Sequence, residues 1–202
     1  MNNRLLAKTA GLSYIIIFFA AIFGNFFALD PLMNDPVGMV AQQPQTLRYG
    51  IAAFLFTVLF DIVVAWALFE LYKDHVFTRL STYMRMTHAI IMGAAIFALP
   101  LALQQNTNND IWLYAEAFNN MWLIGLFFFG VHLMLLARIA PIPKWIMIFM
   151  TLAGVMYMTD TLAHFLLPNY DDYAEIFLML VAVPSILGEM AFAVWLFLKA
   201  NK

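Results

Sequence analysis

Five residues able to carry charge lie inside apolar stretches of this chain: Asp61, His132, Asp160, His164 and Glu189. Carboxylates and imidazoles exchange protons, pair with cations, accept hydrogen bonds and ligate metals. A charge at the bilayer centre costs roughly 2.5–3.5 kcal/mol on the mildest insertion scale, so such residues mark pathways, proton relays or buried pairs. Hydroxyls stand near the acids. Thr57 lies one turn before Asp61, Ser185 one turn before Glu189, and Tyr157 three residues before Asp160. Residues three or four apart share a helix face, so the spacing predicts a carboxyl–hydroxyl hydrogen bond at each acid.

The elements that carry these residues follow from composition. Of 202 residues, 64% are hydrophobic and 11% are charged, with a mean hydropathy of +0.84. A soluble domain has about 25% charged residues, so this chain cannot cover a water-facing surface. A helix crossing the bilayer needs roughly 20 apolar residues, and six stretches qualify: 9–29, 47–72, 83–104, 115–137, 144–167 and 175–198. The runs are continuous and lack the alternation of a membrane barrel. The expected fold is an all-α integral membrane protein, a six-transmembrane-helix bundle forming a single domain over 1–202. The first stretch follows Arg4 and Lys8 but ends in Leu29-Asp30-Pro31 rather than a small-residue cleavage site, so it is expected to be a retained helix. The proline-containing connection after it is expected to form a short interfacial helix near Val37–Ala41.

Lys and Arg set the orientation. Nine of the ten fall on one side of these spans: Arg4, Lys8, Lys73, Arg79, Arg85, Arg138, Lys144, Lys199 and Lys202. Both termini are therefore expected in the cytoplasm, with the protein in the inner (cytoplasmic) membrane. The net charge of −2 and the lack of a basic run exclude nucleic acid as an expected partner. The absence of Cys removes disulfides, iron–sulfur clusters and thiolate zinc sites. The lipid bilayer is the expected surrounding, and no cofactor or metal is expected. Ala20 with Gly24, Ala89 with Gly93 and Ala94 with Ala98 are small pairs suited to close helix contacts. Pro184 should kink the last span.

Counting about 1.5 Å per residue places Asp61 and Glu189 near the midplane. Asp160 and His164 lie toward the outer side with Arg48 above them. His132, His88 and Arg85 lie toward the inner side. These depths predict a polar cavity lined by the second, fifth and sixth spans and centred on Asp61 and Glu189, with Thr57, Ser185 and Tyr157 beside the acids. Such a cavity would bind or translocate a small solute or a proton. A second reading is a membrane-embedded redox or metal-dependent enzyme using His132, either as a haem pair with His88 or with Asp160 and His164. The depth separating the two outer residues from His132 opposes a shared ion. A third is a non-catalytic accessory or assembly subunit. No Gly-rich phosphate loop, nucleophile elbow or His-Glu-x-x-His helix is present. A faint echo relates Asn25–Pro31 to His164–Pro168, each followed by a helix with an acid and a Trp.

The same positions carry a family likeness. Ala10-Gly11-Leu12, Arg48-Tyr49-Gly50, Phe60-Asp61-Ile62, Arg85, Phe129-Gly130-Val131-His132, Asp160 with Ala163-His164-Phe165-Leu166-Leu167-Pro168, and Leu187-Gly188-Glu189 occur in order along nearly the whole chain. This pattern resembles the bacterial membrane family catalogued as domain of unknown function 4386. The resemblance implies a six-helix bacterial inner-membrane protein with no established activity. It also implies that Arg48, Asp61, Arg85, His132, Asp160, His164 and Glu189 fall on the family's polar positions. His88 matches no position in the pattern.

Overall fold

A computed structural model describes residues 2–200. Six helical spans are long and apolar enough to cross a membrane: Asn3–Asn34, Pro44–Tyr72, Thr78–Ala102, Asn108–Ile139, Lys144–Leu166 and Tyr170–Lys199. An even number of crossings returns the chain to the side it started from. Consecutive spans pack together, and the sixth closes on the first, so the bundle is a ring in chain order. Lys202, counted among the basic residues above, lies outside the described residues.

Several helices begin earlier than their apolar cores. The third starts at Thr78, where the polar stretch Thr78-Arg79-Leu80-Ser81-Thr82 already winds as helix, and Thr78 and Thr82 bond backbone carbonyls. The fourth starts at Asn108, with the Thr107 hydroxyl accepting from Asp110 N–H as its cap. The extension of the third helix matters most, because it carries Ser81 into the bundle. The expected interfacial helix is present at Pro36–Gln42, capped by Asp35 through Gly38 N–H.

The interior is two apolar clusters with a polar layer between them. The cluster toward the chain ends contains Leu6, Ala7, Val64, Leu133, Met150 and Phe192. The other contains Leu32, Leu47, Phe54, Ala95, Leu99 and Phe118. Along the second span the order is Phe54, then Thr57 and Asp61, then Val64, all buried.

Close crossings are made by glycines other than most of those expected. Spans four and five meet at Gly130 and Gly154, where a Cβ on either would lie 2.5 Å from the other's carbonyl oxygen. Gly188 presses the sixth span onto the fifth, where a Cβ would lie 2.9 Å from Met150 N. Gly24 admits the Phe54 ring, so the Ala20–Gly24 pair does mark a contact. Gly93 and Ala94 instead face outward, and a Cβ on Gly93 would touch only Val58 at 3.8 Å. Small residues in a membrane helix lie on lipid-facing as well as packed surfaces, which spacing alone cannot separate.

Pro184 lies inside the sixth span and is followed at once by a wide π-helical turn, Ile186–Met190. Proline removes a backbone donor, and a local π adjustment is one way to reorganise the freed groups. Glu189 sits in that turn. Widened turns of this kind often occur at functional positions.

Candidate functional site

The polar layer is organised around Arg85. With its helix starting at Thr78, Arg85 lies seven residues, about 10 Å, inside the span rather than at its mouth. Its Nη2 donates to Asp61 Oδ1 at 2.5 Å, and both side chains are almost fully buried. Its Nη1 donates to Tyr14 Oη at 2.7 Å and to His132 Nε2 at 3.2 Å. The guanidinium also lies against the rings of Tyr14 and Phe129, at 4.7 and 5.1 Å from their centroids. A buried carboxylate is sustained only by a partner of this sort.

His88 completes the acid's surroundings, with Nε2 3.3 Å from Asp61 Oδ2 but not aligned for a hydrogen bond. Its ring packs 4.9 Å from Phe129, and Gly125 leaves the space beside Nδ1, where a Cβ would lie 3.1 Å away. His132 has a defined tautomer. Arginine only donates, so Nε2 must accept, and the ring proton belongs to Nδ1, which faces Ser81 O at 3.0 Å and Ser81 Oγ at 2.9 Å. One connected set, Tyr14, Asp61, Ser81, Arg85, His88 and His132, thus joins the first four spans.

A second pair is built by the last two spans. Tyr157 Oη donates to Glu189 Oε1 at 3.4 Å. Among the described residues, no Lys, Arg or His lies within ion-pair distance of Glu189. Phe129 stands between this pair and the arginine cluster, 5.6 Å from the Tyr157 ring.

A third group lies toward the opposite end. Tyr170 Oη donates to Asp160 Oδ1 at 2.6 Å, and its ring meets His164 edge to face at 4.8 Å. His164 Nε2 pairs with Asn120 Oδ1 at 2.8 Å. Thr161 ties the same helix to the fourth span through Leu123 O.

These positions change several expectations. Thr57 and Ser185 donate to the carbonyls of Ala53 and Ala182 instead of reaching Asp61 and Glu189. A hydroxyl in a helix reaches the carbonyl of its own preceding turn more easily than a neighbouring side chain. Tyr157 serves Glu189, and Asp160 takes its hydroxyl from Tyr170. Arg48 is exposed and pairs with none of the named acids. Arg85 is not part of a separate inner group but holds Asp61, and His132 bonds Arg85. The second and fifth spans lie across the ring from one another, and among the described residues neither a small void between the second, third and fourth spans nor a groove between the fifth and sixth has all three expected spans in its walls. A void of about 860 Å³ is an apolar groove between the fifth and sixth spans beside Pro184, with neither Asp61 nor Glu189 in its walls. Both nitrogens of His132 are engaged, which leaves none for a haem or metal ion. Asp160 and His164 belong to a different group from His132. Among the described residues, no three His, Asp or Glu side chains are placed to hold one ion.

Tyr14, Ser81, Asn120 and Tyr170 are not among the residues the sequence singles out. Each is polar but uncharged, and three of them lie at or beyond the edge of the apolar stretches or in a polar run. His88 matches no position of the family pattern, but its spacing from Arg85, three residues on one face, is the signal in the sequence that places it with the arginine.

No solved structure matches the chain. A protein of Archaeoglobus fulgidus, described only as uncharacterised, is 26% identical over 160 residues, which span 76% of this chain and 85% of that protein. The pattern of the family described as domain of unknown function (DUF4386) matches residues 9–200, and the chain belongs to that family.

Proposed function

We propose that this protein binds and translocates protons, with Glu189 as the carrier carboxyl and the Arg85–Asp61 pair as a fixed ion pair that shapes the interior. The supporting observation is the contrast between the acids. Asp61 has a guanidinium at 2.5 Å, whereas Glu189, on a π turn within the sixth span, has a tyrosine hydroxyl at 3.4 Å and, among the described residues, no cation at ion-pair distance. An uncompensated carboxylate at that depth requires a positive companion, and a proton is the smallest. The Lys and Arg distribution supports an inner-membrane orientation with both termini cytoplasmic, although Arg85 itself turns inward.

Proton flux into liposomes carrying the purified protein tests the reading. Glu189→Gln should abolish flux in protein that remains folded. Undiminished flux in that variant removes Glu189 as the carrier. A second reading, an accessory or assembly subunit, is favoured by the way Arg85 clamps four helices. It predicts no flux above empty liposomes, together with a large loss of stability when Asp61 or Arg85 is replaced.

A further inference from the structure

At the bundle end that carries both chain ends, a void of about 10 Å³ lies between the second, third and fourth spans. Its walls run from Tyr72, Thr78 and Ile139, at the ends of those spans, inward to Ser81 and His132. Space of about this size holds one water when two to four polar groups face it. The required groups are present. Tyr72 Oη is buried and has no hydrogen-bond partner among the described residues. Thr78 and Thr82 spend their hydroxyl protons on the carbonyls of Tyr72 and Thr78, which leaves their oxygens able to accept. Ser81 Oγ stands beside His132 Nδ1.

The location gives the void a direction. Lys199 Nζ lies over the rings of Tyr72 and Trp195, at 5.5 and 4.9 Å, so the mouth is at the level of a charged interface. Beyond the polar layer the opposite half is closed by fully buried Phe54, Met92, Ala95 and Phe118. We infer that this void is a water-binding site, held by Tyr72 Oη with the Thr78, Thr82 and Ser81 hydroxyls, which hydrates the Ser81–His132 end of the arginine cluster from the chain-terminus face alone. The site goes beyond proton carriage by Glu189, which it neither contains nor requires.

Two readouts on the full chain test it. If the hydroxyl of Tyr72 holds a water, Tyr72→Phe loses a hydrogen bond and lowers the Tm by about 2–4 °C. If the hydroxyl is dry, its removal leaves the Tm unchanged or raises it. The chain has no Cys, so a single introduced thiol reports access without background. Leu68→Cys, in the pocket wall, should lose its free thiol to silver ions supplied at the chain-terminus face of membrane vesicles, and not from the other face. Ala115→Cys, buried in the opposite half, is the unreactive comparison. An unchanged or raised Tm for Tyr72→Phe overturns the inference, as does silver reaction of Leu68→Cys no faster than that of Ala115→Cys. Neither readout measures flux, so failure here leaves the Glu189 reading standing.

Discussion

Phe129 meets Tyr157 edge to face, with ring centroids 5.6 Å apart and planes at 74°. The same Phe129 ring also lies against Arg85, His88 and His132, at 5.1, 4.9 and 5.7 Å from its centroid. It therefore stands between the Arg85–Asp61 pair and the Glu189 carboxyl, which has no Lys, Arg or His at ion-pair distance among the described residues. The Gly130–Gly154 crossing sets this spacing, since a Cβ on Gly130 would also lie 3.3 Å from Tyr157 Cβ. Phe129→Leu keeps an apolar side chain but loses the aromatic and cation–π contacts, each worth on the order of 0.5–1.5 kcal/mol. A lower Tm is expected in detergent. An unchanged Tm would show that the ring only fills space.

The Asp61–Arg85 pair should behave as a unit. Removing one member of a buried pair strands the other and costs about 3–5 kcal/mol. Asp61→Asn and Arg85→Gln should each destabilise strongly, and the double variant should cost much less than the sum. Reversible unfolding of the four proteins in bicelles measures the coupling. Additive losses would mean that the two side chains act independently.

Glycine substitutions should separate crossing points from lipid-facing positions. Gly154→Ala places a Cβ 2.5 Å from Gly130 O, so the fourth and fifth spans must move apart, and overpacking of this kind costs about 1–3 kcal/mol. Gly93→Ala meets only Val58 at 3.8 Å and should be neutral or stabilising by up to about 1 kcal/mol. Thermal unfolding of the two variants side by side checks the order.

Tyr170 holds the start of the last span over Asp160 and His164. Tyr170→Phe keeps the ring contact and removes the hydroxyl, a loss of about 1 kcal/mol for a hydrogen bond. The expected signature is local, with faster amide exchange over the Tyr170–Tyr173 turn and little change elsewhere. Unchanged exchange there would show that ring packing alone holds the turn.

The bundle was legible in the sequence because six continuous apolar runs leave little alternative. The partners of the buried acids were not. Thr78–Thr82 reads as a polar loop, yet it is the first turn of a helix, and that shift carries Arg85 from the interface to Asp61. Depth along a helix is readable from residue number, but rotation about the bundle is not. Thus Asp61 and Glu189, expected at one level, face different neighbours. Tyr170 bonds Asp160 across a turn whose geometry no spacing rule specifies. The near-neutral signals of Tyr14, Ser81 and Asn120 carry no excess over the many polar residues that face nothing.

Infrared difference spectra of the reconstituted protein between acid and alkaline buffer test the central claim most directly, because they read carboxyl protonation itself. The account predicts a carboxyl band that appears with proton uptake, persists in Asp61→Asn and disappears in Glu189→Gln. A band unchanged by Glu189→Gln, or no intramembrane carboxyl band in the native chain, would contradict it.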